Sequence, residues 1–458
     1  QLLQNDASLK SFHNGLVSIP AATRAASKRA ASFDQSKRNT LVDVLHKQYK
    51  HLDPDAKTRT QIDALLAPNA VTITTGHQLN IFTGPLYFWY KILDVINLAA
   101  RIQDADNKHQ YVPVFWMASE DHDFEEINHF FLGEQKVRWE ATASGAVGRM
   151  PTTGLDTVLK TLTPYYTSTD QGKELLALFS ECYLQEDTLA NATRRLVHQL
   201  FGAHGIVVID GDDTALKSLF APVLQDEVSK NITQTAVHKT NNSLKKTIKG
   251  FKPQVNPRAI NVFYLFDNKR LRITKDEDDF GTTENPATWT LQSLCEEIQK
   301  YPERFSPNAL MRPLYQESVL PNIAYVGGGG ELAYWLQLKT AFEAFDIPYP
   351  LLQHRTTVLL MSEKQVKKCN KLHLPIADLF LPTAAFINKR VRQISDIDID
   401  FSSQRELLKD NFKVFYHLAS LTDKSFLGAV EAQEKKQLKG LDKLENRLLK
   451  AQRKKLQD

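Results

Sequence analysis

Residues 113–123 read PVFWMASEDHD, an apolar run that ends in four ionisable side chains: Glu120, Asp121, His122 and Asp123. Carboxylates in a polar pocket bind ammonium or hydroxyl groups, and an imidazole can act there as acid or base. A metal site is a second interpretation, because His122, Glu126 and His129 share a face if a helix follows the cluster. A carboxylate-bridged metal site needs a second Glu-x-x-His pair, for which the sequence offers no convincing match. An acidic helix N-terminus, where carboxylates complement the helix dipole, is the third interpretation.

A second polar group follows the β-rich run at residues 70–75 and consists of Gly76, His77, Gln78 and Asn80. Backbone N–H groups at the start of the helix that follows favour an anion, so this turn is a candidate site for phosphate or carboxylate. It is not a Walker A motif, because GxxxxGK[ST] is absent. The alternative is a turn that needs Gly76 and Gly84 for backbone reasons alone.

A third candidate is the stretch YVGGGGELAYWLQLK, which contains four glycines and an acid: Gly327, Gly328, Gly329, Gly330 and Glu331. Glycines allow the backbone to approach a ligand closely, although the spacing of a dinucleotide fingerprint is missing. A flexible turn is the alternative. Just upstream lie Asn308 and Arg312, and an arginine here can pair with a carboxylate or phosphate. A buried structural salt bridge is an equally good interpretation of Arg312.

The elements that position these groups are apolar, β-rich runs at residues 70–75, 111–119 and 205–213, which alternate with helical segments. Runs buried on both faces predict an α/β fold with a parallel sheet. Ligands collect beyond the carboxyl ends of such strands, so the groups at residues 76–80 and 120–123 are expected side by side if their two strands are neighbours. Hairpin signals, including an Asp267-Asn268 turn, interrupt the pattern.

The prediction divides the chain into a core at residues 1–129, 200–240 and 310–385, connecting insertions at 130–199 and 241–309, and a C-terminal helical region at 386–458. In the last region, apolar residues recur at spacings of three and four: Leu441, Leu444, Leu448 and Ala451. This spacing is compatible with a coiled coil.

Composition excludes several classes of protein. The 458 residues carry a net charge of +4, too small to indicate nucleic-acid binding. The three cysteines are far apart and form no CxxC, which argues against a disulfide framework and fits a reducing cytoplasm. No run approaches 18 apolar residues and no signal peptide is visible, so a membrane protein is not expected.

Three stretches together, TTGHQLNIFTGPLYFWYK, VPVFWMASEDHDFEEINH and FSPNALMRPLYQESVLPNIAYVGGGGELAYW, closely resemble BshC, the cysteine ligase family of bacillithiol biosynthesis. The resemblance implies a Rossmann-like core related to nucleotidylyl transferases, with connecting insertions and a C-terminal coiled coil that forms a homodimer. It implies that L-cysteine is joined to the amino group of glucosaminyl malate, giving a low-molecular-weight thiol. A free carboxylate does not acylate an amine readily, so we expect activation by ATP with Mg²⁺, and no tightly bound metal.

The resemblance also suggests roles for individual residues. Residues 76–80 would face the ATP phosphates, with His77 donating to the charge at the α-phosphate. Asp121 or Asp123 would bind an ammonium group, and His122 would take a proton from the attacking amine. Arg312 would hold a malate or cysteine carboxylate, and the glycine loop with Glu331 would close the pocket. The remaining predicted binding residues are Lys91, Glu120 and Asn308. A metal-dependent hydrolase and a non-catalytic coiled-coil scaffold are the rival functions.

Overall fold

The computed structural model describes residues 2–142, 145–277, 279–284 and 288–456. The chain forms two compact units, Gln1–Thr357 (unit 1) and Val358–Asp458 (unit 2). The strands are β1 (Ala70–His77), β2 (Gln110–Met117), β3 (His129–Leu132), β4 (Gln135–Arg138), β5 (Val207–Asp210), β6 (Val262–Phe266), β7 (Lys269–Asp276), β8 (Asp279–Thr282), β9 (Trp289–Thr290), β10 (Phe305–Pro307), β11 (Asn322–Gly327) and β12 (Leu351–His354).

Helices connect and cover these strands. In unit 1 they are α1 (Ile19–Ser32), α2 (Gln35–Tyr49), α3 (Ala56–Ala64), α4 (Tyr87–Ala105), α5 (Phe124–Ile127), α6 (Leu155–Tyr166), α7 (Asp170–Leu184), α8 (Leu189–Phe201), α9 (Thr214–Lys230), α10 (Ile232–Thr247), α11 (Leu291–Lys300), α12 (Arg312–Val319) and α13 (Gly329–Ala344). In unit 2 they are α14 (Glu363–Lys371), α15 (Thr383–Ile394), α16 (Ser402–Ser420) and α17 (Lys424–Lys455).

The centre of unit 1 is a parallel five-stranded sheet in the order β12-β11-β1-β2-β5. Strands β1 and β2 are buried almost throughout, as expected for strands covered on both faces. Their register pairs Gly76 with Trp116 and His77 with Met117, so both strands end side by side. The predicted Rossmann-like parallel core is therefore confirmed, and the polar groups that follow β1 and β2 come to the same edge.

Two insertions interrupt this sheet in the chain. The first contains the β3–β4 hairpin and the helices α6 to α8. The second contributes an antiparallel sheet in the order β10-β6-β7-β8-β9. Asp267 and Asn268 connect β6 to β7 with φ values of +49° and +55°, the left-handed conformation that tight hairpin turns require. The predicted hairpin turn is thus confirmed.

The structure corrects two details of the prediction. Helix α5 has four residues, so the proposed helical face shared by His122, Glu126 and His129 does not exist. Asp123 caps this helix at its start, and the chain passes into β3 at His129. The predicted boundary between residues 385 and 386 falls inside unit 2, because the compact part of unit 1 ends at Thr357, just after β12.

A single large core holds unit 1 together, with the fully buried rings of Trp116, Trp139 and Trp335 among its members. Unit 2 has two small apolar clusters, one around Leu449 and one around Phe412. Of the predicted apolar positions on α17, Leu448 packs in the first cluster, whereas Leu444 is exposed. Within the described ranges, no helix combines the length and apolarity that crossing a membrane would need.

Candidate active site

A cavity of about 590 Å³ opens beyond the carboxyl ends of β1, β2 and β11, where parallel α/β sheets bind ligands. The antiparallel insertion contributes Phe263 and Arg270 to its wall. The predicted site residues that line it are Gly76, His77, Gln78, Lys91, Glu120, Asp121, His122, Asn308, Arg312 and Glu331. The sheet therefore brings together side chains from all three stretches singled out in the sequence.

The other predicted site residues do not line the cavity and belong to the local structure around it. Asn80 is buried and donates from Nδ2 to the carbonyl oxygen of Glu126, 3.1 Å away. Asp123 accepts a hydrogen bond from the N–H of Glu126 as the cap of α5. The remaining ones form the glycine run, Gly327, Gly328, Gly329 and Gly330, which spans the end of β11 and the first turn of α13 outside the cavity lining.

His77 is a neutral hydrogen-bond acceptor in this site. Its Nδ1 lies 2.9 Å from the carbonyl oxygen of Gln78, which can only accept, so Nδ1 carries the hydrogen and Nε2 keeps its lone pair. Burial, reinforced by the nearby ammonium of Lys91, lowers the pKa of His77 to about 4. The rings of Tyr87 and Phe88 pack against it at centroid distances of 5.5 and 5.3 Å.

His122 has the opposite tautomer. Nη1 of Arg270 lies 3.0 Å from His122 Nδ1, closer than Asp121 Oδ1 at 3.5 Å. A guanidinium can only donate, so Nδ1 accepts from Arg270 and the hydrogen of the neutral ring is on Nε2. The ring is about half exposed and lies beside Phe263. This arrangement presents an N–H at Nε2, which does not suit the expected role of His122 as proton acceptor.

Asp121 is held in its ionised form by hydrogen bonds. Its Oδ2 accepts from Gln78 Nε2 at 3.0 Å, and its Oδ1 accepts from the backbone N–H of His122 at 2.7 Å. Burial alone would raise the pKa of Asp121, but hydrogen bonds from Gln78 and from the backbone N–H of His122, with the charge of Arg270, lower it well below its usual range. Gln78 also donates to Glu126 at 2.6 Å, and so links the end of β1 to the acidic loop.

Glu120 belongs to a buried charge cluster that the sequence did not reveal. Nζ of Lys217, in α9, lies 2.7 Å from an oxygen of Glu120 and 2.7 Å from one of Asp212. Asp212 also pairs with Arg149 at 2.5 Å. Burial raises the pKa of Glu120 although Lys217 opposes the shift. Lys217 looks in the sequence like any lysine of a helix, so only the fold identifies it.

Lys91 and Glu331 form an ion pair at the cavity wall, with 2.8 Å between Nζ and Oε2. Lys91 also donates to the carbonyl oxygen of Gly76, and Glu331 accepts from the hydroxyl of Tyr325 at 2.7 Å and from the N–H of Gly328 at 2.8 Å. Burial would raise the pKa of Glu331, but Lys91 and these donors outweigh it and lower the pKa. Both charges are therefore compensated within the protein.

Three guanidinium groups line the cavity without a carboxylate partner in the described parts of the chain, those of Arg258, Arg270 and Arg312. Arg312 donates to Gln316 Oε1 at 3.0 Å and to the hydroxyl of Tyr334 at 3.2 Å. Arg270 donates to Ser306 Oγ and to the carbonyl oxygen of Pro307, and lies 4.1 Å over the ring of Phe263. Such groups can bind a carboxylate or phosphate. Arg270 was missed because a charged residue in a hairpin strand is usually solvent-exposed.

Asn308 lines the cavity but its side chain is engaged locally. Nδ2 donates to Asn261 Oδ1 at 3.0 Å, and Oδ1 accepts from the N–H of Leu310 at 2.9 Å. The described residues contain no group of three or more histidine, cysteine or acidic side chains placed to hold a metal ion. His129 instead lies next to the side chain of Asn128.

Two family models match the chain. "Bacillithiol biosynthesis BshC, N-terminal Rossmann-like domain" matches residues 1–356, and "Bacillithiol biosynthesis BshC, C-terminal coiled-coil domain" matches residues 358–458. The chain is also similar to proteins named "Putative cysteine ligase BshC". The relative from Flavobacterium johnsoniae is 44% identical over 456 residues, which cover 100% of this chain and 85% of the relative. That from Cytophaga hutchinsonii is 38% identical, with 98% and 83% covered, and that from Bacillus cytotoxicus is 29% identical, with 75% and 65% covered.

Proposed function

Because the chain belongs to the BshC family, we propose that this ligase joins L-cysteine to the amino group of glucosaminyl malate by an amide bond, in bacillithiol biosynthesis. The observation that carries the proposal is the cavity itself. It combines an ionised acid, Asp121, with the guanidinium groups of Arg270 and Arg312, which have no carboxylate partner among the described residues. An amine and one or more anionic groups are what such a site is suited to bind.

Amide formation requires an activated carboxyl group, and ATP with Mg²⁺ is the proposed source of activation. The amine nitrogen attacks the activated carbonyl carbon, the C–N bond forms, the C–O bond to the leaving group breaks, and the nitrogen loses a proton. Arg270 and Arg312 fit the negative charge of a phosphate or a substrate carboxylate better than Lys91, whose ammonium is already paired with Glu331.

The histidine tautomers determine the roles that we propose for them. His77 offers an acceptor at Nε2 and stays neutral, so it accepts an N–H of the attacking amine while Asp121 attracts the ammonium form. His122 offers an N–H at Nε2 and contacts Arg270, so it donates to the oxygen on which charge develops. These roles are the reverse of those that the sequence suggested.

The purified protein tests the reaction directly. We expect it to convert L-cysteine, glucosaminyl malate and ATP into the cysteinyl amide, detected by mass spectrometry, with AMP and pyrophosphate as nucleotide products. Cells lacking the protein should accumulate glucosaminyl malate and lose bacillithiol. His77→Ala should reduce kcat/KM by about a hundredfold, whereas His46→Ala, which changes a half-exposed histidine outside the cavity, should not. The absence of the amide with all three substrates would refute the proposal.

We also propose a homodimer formed through unit 2. Helix α16 and the residue after it carry an exposed apolar stripe at spacings of seven, four and three: Leu407, Val414, Leu418 and Leu421. A second copy of the same helix would cover this stripe. Light scattering should give a dimer for the whole chain and a monomer for a chain that ends at Thr357. A dimer of the shortened chain would contradict this part of the proposal.

A further inference from the structure

A row of buried polar side chains leads from the central sheet to Arg312 at the cavity wall. Its members come from β1, β11 and α12, and are Thr72, Thr74, Asn322, Glu317 and Gln316. Buried polar groups are costly unless they are hydrogen-bonded, so the members of this row must find hydrogen-bond partners inside the protein. None of these side chains lines the cavity.

The amide of Gln316 has only one possible orientation. Arg312 can only donate, and its Nη1 lies 3.0 Å from Gln316 Oε1. The Nε2 of Gln316 must therefore find an acceptor on its other side, and Glu317 Oε1 supplies it at 2.8 Å. An apolar residue at position 317 would leave Gln316 Nε2 without this acceptor, so the contact with Arg312 alone would hold the Gln316 amide.

Glu317 is fixed in turn by the sheet. The hydroxyls of Thr72 and Thr74 donate to Asn322 Oδ1 at 3.1 and 2.8 Å, so the Nδ2 of Asn322 is the only group left to face Glu317. It donates to the same Glu317 Oε1 at 2.8 Å. Two donors thus converge on one carboxylate oxygen, and the direction of each is set by a partner further along the row.

We infer that Gln316 and Glu317 are positioning residues, which act through Arg312 by fixing the direction in which its guanidinium faces the cavity. The inference rests on the proposed role of Arg312 as the group that binds a substrate carboxylate. A bidentate arginine is sensitive to its direction, because two parallel hydrogen bonds must be made at once.

The same geometry operates whether or not Glu317 carries a proton. Burial, opposed by Arg29, raises the pKa of Glu317 to about 7. Its Oε2 has no hydrogen-bond partner in the described structure, so a proton belongs there, and Oε1 accepts from both amides in either state. A glutamine at position 317 would likewise keep the Oε1 acceptor, and glutamine is therefore the conservative replacement.

The test uses the whole protein and compares KM with kcat. Gln316→Met and Glu317→Met keep a side chain of similar volume but remove its hydrogen bonds to the row. Each should raise the KM of the substrate whose carboxylate Arg312 holds by about tenfold, with kcat changed less than about twofold. Glu317→Gln should stay within about twofold of the original protein in both constants. Calorimetric titration with glucosaminyl malate, without ATP, should give the matching loss of affinity if that substrate is the one held.

Two controls separate positioning from simple destabilisation. Thr240→Val removes a partly buried hydrogen bond between Thr240 and Thr340, away from the cavity, and should lower the melting temperature without changing KM. Gln316→Met added to Arg312→Ala should have no further effect on KM, because the guanidinium that Gln316 orients is absent. If Arg312→Ala raises a KM and Gln316→Met does not, the positioning role is refuted while the proposed function stands. If Arg312→Ala changes neither KM, the carboxylate role of Arg312 falls, and the positioning role with it.

Discussion

Replacing Lys217 with methionine removes the only cation that pairs with Glu120 in the described structure. The side chain of Lys217 is 2% exposed, against 12% for Glu120 and 4% for Asp212, so water cannot replace the lost ammonium. Asp212 keeps its contacts with Arg149 at 2.5 and 2.7 Å, and the unpaired charge is therefore that of Glu120. Leaving one buried charge without its partner costs about 3–5 kcal/mol.

The penalty should depend on pH. Burial already raises the pKa of Glu120, and loss of Lys217 removes the main opposing charge, so the pKa in the folded variant rises further. The folded state then binds more protons than the unfolded state at pH values between the two pKa values. Stability consequently falls as pH rises through this window, and the penalty of Lys217→Met is complete above the folded pKa and smaller near the unfolded one.

Urea unfolding followed by tryptophan fluorescence measures this effect, since all five tryptophans belong to unit 1. Lys230→Met is the matched control, because Lys230 lies on the same helix and pairs with Asp226 at 2.6 Å, but its side chain is 63% exposed. We expect a loss of about 3–5 kcal/mol for Lys217→Met at pH 8 and below about 0.5 kcal/mol for Lys230→Met. Glu120→Gln in the Lys217→Met background should recover most of the loss. Equal losses for the two lysine variants, or no recovery in the double variant, would refute the reasoning.

Two further predictions concern the cavity and its supports. Arg270→Met should raise the KM of an anionic substrate by about tenfold, and should lower kcat because it removes the donor to His122. The control is Arg272→Met, which changes an exposed residue two positions further along β7. It should change neither constant by more than about twofold in the same steady-state assay. Gly211→Ala should cost about 1–3 kcal/mol in urea unfolding, because its Cβ would lie 2.4 Å from the ring of Trp116 and 3.1 Å from that of Tyr315, and an unchanged midpoint would contradict this clash.

The strand ends were predictable because their causes are local. Strands covered on both faces need uninterrupted apolar runs, so β1 and β2 are visible in the sequence, and the polar residues directly after them are placed as soon as the sheet is parallel. The charged partners were not predictable in the same way. Arg270 comes from a separate antiparallel sheet and Lys217 from a helix, and each meets the acidic loop only through the tertiary fold.

The predicted helical face shared by His122, Glu126 and His129 does not form, because competing signals in the same sequence end the helix early. A helix of the required length competes with the signals that end it: Asp123 caps the backbone N–H of Glu126, and the residues after Asn128 pair as a hairpin. The hairpin and its packing outweigh the 3–4 spacing, so α5 stops at Ile127. The 3–4 spacing of residues predicts a shared helical face only where the helix itself is stable.

The chemistry of the two histidines depends on single neighbours that lie on different elements. His77 is followed by a carbonyl that can only accept, which leaves its Nε2 as an acceptor, and burial keeps the ring neutral. His122 is contacted by a guanidinium that can only donate, which leaves its Nε2 as a donor. Two imidazoles therefore offer opposite hydrogen-bonding groups to one cavity. An amide-forming site needs both, an acceptor for the amine hydrogen and a donor for the oxygen that gains charge, and the assignment follows from the partner of each Nδ1 rather than from the residue type.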